Sequence, residues 1–175
     1  MLEIVIHGRG GQGAVTAAEL LAIAAFKDGK FTQAFPKFGP ERRGSPVQSY
    51  CRISKDFITL RTQVYSPDHV IVLDDSLPRT VDITKGLSKK GIILINSERK
   101  VKFNGFDVYT VDANKIAMEV LGRPIVNTVM LGAFAKATGL ISLENLVESI
   151  KERFEGELRK KNVRAVKRAY EETVM

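Results

Sequence analysis

The sequence predicts an α/β fold: a three-layer sandwich around a largely parallel sheet, with an inserted β-hairpin and a helical C-terminal section. Three observations lead there. Short apolar runs rich in β-branched residues alternate with helical patterns. Two of those runs, Val70-Ile71-Val72-Leu73 and Ile92-Ile93-Leu94-Ile95, are continuously apolar, as strands buried on both faces must be. The stretch from Ala113 onward reads as one helix after another. With 175 residues the chain can bury one sizeable core, and no Gly/Ser-rich or Pro-rich linker divides it. Residues 1–175 are therefore expected to form a single domain.

The elements follow in order. Residues 2–7 form an apolar, β-branched run that meets a cluster of glycines, and residues 14–22 then carry an alanine- and leucine-rich helical pattern, giving strand, tight turn, helix. Residues 32–35 make a short strand. Residues 36–46 are dense in Gly and Pro, which interrupt both ladder and helix, so this stretch is a loop. Residues 47–53 and 57–63 flank the turn Ser54-Lys55-Asp56 and are expected to be the two arms of the inserted hairpin. The parallel pattern resumes at residues 70–73 and 92–95, which end in the polar residues Asp74-Asp75 and Asn96, and again at 108–111. Helices are expected over 113–121, 128–138 and 143–153, the last with Ser142 as N-cap because its hydroxyl can accept from a free first-turn N–H. An amphipathic helix over about 157–172 completes the chain.

Composition narrows the function classes. A hydrophobic fraction of 44% and a charged fraction of 27% are those of an ordinary globular protein. No run reaches the roughly 20 apolar residues that span a bilayer. The start, Met1-Leu2-Glu3-Ile4, lacks the basic and apolar regions of a signal segment, so no membrane association and a cytoplasmic location are expected. A lone cysteine, Cys51, forbids an internal disulfide and cannot supply the four thiolates of an ordinary iron–sulfur cluster. It reads as a small hydrophobe in a strand. His7 and His69 have no second ligand at metal spacing, so no metal site is expected. The net charge of +7 points to an anionic partner. Nucleic acid is disfavoured, because the aromatic residues of 151–172 are only Phe154 and Tyr170 and none interleaves with the basic residues between them, which alternate with glutamates as on a solvated helix face.

Two loops concentrate unusual residues. Gly8-Arg9-Gly10-Gly11-Gln12-Gly13 has the G-x-G-x-x-G spacing between a first strand and a helix, where glycines let backbone approach a ligand and free helix-start N–H groups favour an anion. The same glycines also suit a tight turn with close helix packing and no ligand. NAD binding would need an acidic residue at the end of the second strand, which here ends Gln33-Ala34-Phe35. NADP remains an alternative, with Arg42 or Arg43 on a 2′-phosphate in a free-standing NADP-binding protein. In the second loop, Phe38-Gly39-Pro40-Glu41-Arg42-Arg43-Gly44-Ser45-Pro46, arginine forks can hold carboxylate or phosphate at two points, or pair internally with Glu41.

Taken together, Gly8 to Val15 and Ala34 to Val47 are similar to the gamma-subunit pattern of 2-oxoacid:ferredoxin oxidoreductases. Chain length, the Asp74-Asp75 strand end and the run Gly122-Arg123-Pro124-Ile125-Val126-Asn127-Thr128 before a helix reinforce the likeness, which covers nearly all of the chain except its last helix. The resemblance implies a subunit of an enzyme that oxidatively decarboxylates pyruvate, transfers the acetyl group to coenzyme A and passes two electrons to ferredoxin. It implies that the chain is not active alone. Its partners would be alpha, beta and ferredoxin-like delta subunits, with thiamine diphosphate on beta and the iron–sulfur clusters also on partner subunits. Ferredoxin would be the electron acceptor of the complex. This chain would hold no cofactor by itself, in keeping with its lone cysteine and its lack of a Gly-Asp-Gly thiamine motif. The form Phe38-Gly39-Pro40-Glu41-Arg42-Arg43-Gly44 resembles pyruvate and 2-ketoisovalerate members more than 2-oxoglutarate members, where the loop tends to read Tyr-Gly-Pro-Glu-Met-Arg-Gly. The residues expected to contact coenzyme A are Gly8, Arg9, Gly10, Gly11, Gln12, Gly13, Arg42 and Arg43; no catalytic residue is assigned to this chain.

Overall fold

The computed structural model describes residues 1–39 and 42–175. Strand β1 (Leu2–Arg9) leads through the glycines to helix α1 (Ala14–Lys27), followed by β2 (Phe31–Pro36), β3 (Pro46–Ser54), β4 (His69–Val72), β5 (Ile92–Asn96) and β6 (Asp107–Val111). Four helices close the chain: α2 (Ala113–Leu121), α3 (Asn127–Thr138), α4 (Leu143–Arg153) and α5 (Gly156–Glu172). The expected Ser142 cap is present, its Oγ accepting from the Asn145 N–H at 3.2 Å.

The six strands lie in the order β2-β3-β1-β4-β5-β6. β1, β4, β5 and β6 pair in parallel, and β3 runs antiparallel to both β1 and β2. The period-2 pleat then sorts every strand. Ile4 and Ile6 of β1, Cys51 and Ile53 of β3, Ile71 of β4 and Leu94 of β5 join one core with residues from all five α-helices. On the other face Val70, Val72, Ile93 and Ile95 pack against Leu77, Ile83 and Leu87. The third layer is thus coil with a single 3-10 turn (Leu77–Arg79) among the described residues, rather than helix.

The hairpin differs from the sequence expectation. Its second arm is not residues 57–63, which form no strand; it is β2, paired with β3 from Phe31↔Ser54 to Pro36↔Ser49. The reason is topological. β3 already bonds β1 along one edge and β2 along the other, so no edge is left for a third segment. Residues 57–63 instead lie over the hairpin, where the carbonyls of Leu60 and Thr62 accept from Arg52 and that of Leu60 also from Gln33.

Cys51 is fully buried in β3, and burial alone pushes its thiol far above the usual range, so it packs as an inert hydrophobe. No described helix is long and apolar enough to cross a membrane.

Candidate functional site

The two loops singled out from the sequence form one structure. Because β3 lies beside β1, its start brings the arginine loop against the glycine loop. The Gly10 N–H donates to the Ser45 carbonyl at 2.9 Å, and the Gly44 N–H donates to the Gly10 carbonyl at 3.0 Å, making a short bridge that continues the sheet beyond β1. Gly10 is needed for this approach, since a Cβ there would lie 2.4 Å from the Arg42 carbonyl oxygen.

The rest of the glycine loop is held from the strand on the other side. β4 pairs with β1 up to His7↔Val72, so the residues following both strands stay adjacent. Each nitrogen of the Arg9 guanidinium donates once within the protein: Nε to Asp74 Oδ2 at 3.2 Å, Nη1 to the Gly44 carbonyl at 3.1 Å and Nη2 to Ser76 Oγ at 2.7 Å. Gln12 accepts from the Arg9 N–H at 2.7 Å and donates to Asp74 Oδ2 at 3.1 Å. Arg9 and Gln12 therefore brace the loop and set its shape. Gly8 packs tightly, since a Cβ there would lie 3.1 Å from Leu73 Cδ1 and 3.4 Å from Ala14 Cβ.

Gly13 stands at the start of α1 with φ +78°, and a Cβ there would meet Asn127 Nδ2 at 2.5 Å. Asn127, 6% exposed, donates to the Gly13 carbonyl at 3.4 Å, so the segment leading into α3 closes down on the glycine loop. Asp74, Ser76 and Asn127 carry this architecture, and sequence reasoning assigned them no role. The available signals were the polar end of an apolar strand and the Pro-containing entry to a helix.

What remains free faces outward. Among the described residues the N–H groups of Gly11 and Gly13 have no intramolecular acceptor, as is usual where a helix begins. The exposed Arg42 and Arg43 share a concavity with Gly10, Gly11 and Gln12. Free backbone donors beside two guanidinium groups suit a phosphate or carboxylate. The alternative pairing of an arginine with Glu41 falls outside the described residues. A dinucleotide site is poorly served, because β3 separates β2 from β1 and carries the end of the second strand away from the glycine loop.

Asp74 is the hub of the brace. Burial acts to raise its carboxyl, but the hydrogen bonds from Ser76 and Gln12 and the Arg9 charge outweigh it and hold the group below its ordinary value of 3.8. A lowered carboxyl contributes stability that is present above the unfolded value and is lost as pH falls through the folded one. Asp74→Asn is expected to lose about 1 kcal/mol, its partial exposure keeping the effect small. In urea unfolding the difference from the parent should be constant near neutral pH and should close only below pH 3.8. A gap that closes near pH 6 would contradict this origin.

Fold and site together define a mixed α/β domain whose joined strand-end loops carry outward-facing backbone and guanidinium donors. The chain belongs to the pyruvate ferredoxin/flavodoxin oxidoreductase family, whose model matches residues 3–172. It is 55% identical over 172 residues to the pyruvate synthase subunit PorC of Methanothermobacter thermautotrophicus, covering 98% of this chain and 96% of that one. It is 53% identical over 180 residues to the common gamma subunit of the pyruvate/ketoisovalerate oxidoreductases of Pyrococcus furiosus, covering 99% and 97%. The crystal structure of the pyruvate oxidoreductase subunit PORC from Thermotoga maritima superposes with a TM-score of 0.87 at 39% identity, covering 99% of this chain and 97% of that one.

Proposed function

We propose that this chain is the gamma subunit of a multi-subunit pyruvate:ferredoxin oxidoreductase and that its joined loops hold phosphate groups of coenzyme A. The overall reaction converts pyruvate and coenzyme A to acetyl-coenzyme A and carbon dioxide, with two electrons passing to ferredoxin. The reading is carried by one observation: the Gly10–Ser45 and Gly44–Gly10 bonds set free backbone donors and the exposed Arg42 and Arg43 around a single concavity. Gly10, Gly11 and Gly13 would offer backbone, Arg42 and Arg43 charge. Gly8, Arg9 and Gln12, first taken as ligand residues, would act by holding the loop in place. Thiamine diphosphate, the clusters and the ferredoxin contact are assigned to alpha, beta and delta partners, and the assembly to the cytoplasm.

Arg42→Gln and Arg43→Gln, made separately in the assembled enzyme, test the role. A charge-assisted hydrogen bond contributes about 1.5–3 kcal/mol, so loss of a contacting arginine should raise the KM for coenzyme A about tenfold or more. The KM for the 2-oxoacid should not move. If both variants keep the parent KM for coenzyme A, the loops do not bind it.

A second substrate reading has specific support, because the Pyrococcus relative is named as common to pyruvate and ketoisovalerate enzymes. Tagged chain recovered from its native cells, assayed for dye reduction with pyruvate and with 2-ketoisovalerate, separates the two. Activity with pyruvate alone supports a dedicated subunit. Two separable assemblies, each with its own substrate, support a shared one.

A further inference from the structure

The sheet face away from the helices carries a second cleft that the coenzyme A reading does not use. Two adjoining cavities of about 270 and 440 Å³ share His7, Lys37, Gln48 and Val81. The larger lies within the size range of small-molecule sites. Its walls include Val64, Ile83 and Tyr50. The smaller is lined by Phe38, which is 86% exposed, and by none of the residues that form the concavity around Arg42 and Arg43.

His7 is the polar centre of this cleft. It is 4% exposed and lies on β1 on the same face as Val5, opposite Gln48 of β3. Burial foremost, and then the Lys37 charge, lowers its imidazole to about 4 against a smaller opposing effect of Asp82, so the ring is neutral near pH 7. Tyr50 donates its hydroxyl to Gln48 Oε1 at 3.2 Å, which leaves the Gln48 amide nitrogen facing His7 Nδ1 at 3.4 Å. An amide NH₂ can only donate, so Nδ1 accepts and the ring proton sits on Nε2. Among the described residues Nε2 has no hydrogen-bond partner, yet no buried side-chain nitrogen is left unpaired. This N–H is therefore open to the cleft.

The charges around it are few. Asp82 stands at the rim, accepting from Thr84 N and Oγ1 at 3.0 and 2.7 Å, and the Lys85 charge lies beside it. Lys37 makes no ion pair among the described residues. One uncompensated ammonium, one directed N–H and the apolar patch of Val64, Val81 and Ile83 match a monoanion with a short apolar tail better than a phosphate dianion.

We propose that this cleft binds a small organic carboxylate, with its oxygens on His7 Nε2 and the Lys37 ammonium and its tail against Val64, Val81 and Ile83. The chain has two histidines, which makes the test direct. In the full chain labelled with ¹⁵N-histidine, propionate and 2-oxobutyrate should each shift the His7 Nε2 resonance saturably. His69 should stay fixed, because its Nδ1 accepts from the Ile92 N–H and its ring packs edge-on against Phe134. Lys37→Gln, on an exposed side chain, should raise the half-saturating concentration at least tenfold. The proposal is overturned if both histidines drift together, if neither moves, if Lys37→Gln saturates at the parent concentration, or if inorganic phosphate binds as tightly as the carboxylates.

Discussion

Gly10→Ala is expected to part the two loops while leaving the rest of the domain folded. The added Cβ would stand 2.4 Å from the Arg42 carbonyl oxygen and 3.1 Å from its carbon. Those atoms are backbone, so no side-chain rotation relieves the overlap and the arginine loop must move as a piece. The bonds from Gly10 to Ser45 and from Gly44 to Gly10 cannot both survive that movement. At about 0.5–1.5 kcal/mol each, their loss should lower unfolding free energy by about 1–3 kcal/mol. The larger effect should be on function, since the concavity shared by Gly10, Gly11, Arg42 and Arg43 is created by this contact. In the assembled enzyme the KM for coenzyme A should rise by more than in either single arginine variant. Gly11→Ala is the control: its φ of +95° strains alanine, but a Cβ there meets nothing within 4 Å, so stability should fall by about 1–2 kcal/mol with the loop contact preserved. Equal KM values for the two alanine variants would mean that the contact does not organise the site.

The largest loss of stability is expected from Arg52→Ala. The Arg52 side chain has no exposed area, and its guanidinium is shared among four partners. Nε donates to Glu3 Oε1 at 2.8 Å, Nη1 to Gln33 Oε1 at 2.9 Å and to the Leu60 carbonyl at 3.4 Å, and Nη2 to the Thr62 carbonyl at 2.6 Å. The Phe35 ring lies beneath, its centroid 5.0 Å from the guanidinium carbon. Truncation strands Glu3 and two carbonyls beside a cavity, and breaking a buried ion pair from one side costs about 3–5 kcal/mol. Hydrogen exchange should show the loss concentrated in residues 57–63. Arg52→Lys keeps the charge but lacks the fork that reaches both carbonyls, so it should fall between alanine and the parent. An Arg52→Ala protein unfolding within 1 kcal/mol of the parent would refute the role of this network.

These two positions also mark where sequence reasoning succeeds and where it stops. The glycine spacing between an apolar strand and an alanine-rich helix was readable because each part is specified within a few residues. The matching loop around Arg42 and Arg43 was readable as a companion motif. Helices α2 and α4 have the limits their periodicity predicts, and α4 also its predicted Ser142 cap, because helical bonds close within the segment. Arg9 is the opposite case. In sequence it looks like a ligand-facing cation, yet its partner Asp74 is 65 residues away and becomes adjacent only through the parallel pairing of β1 with β4.

The sequence by itself determined the α/β class, the position of nearly every strand and helix, and the two loops that concentrate unusual residues. Only the tertiary structure decided that residues 57–63 are coil, that Arg9 and Gln12 brace while Arg42 and Arg43 face outward, and that His7 turns an N–H into a cleft. The division has one physical cause. Propensity, capping and side-chain period act over a turn or two of chain, whereas strand partners and buried polar groups are settled by whichever distant donor or acceptor the packed sheet brings within about 3 Å.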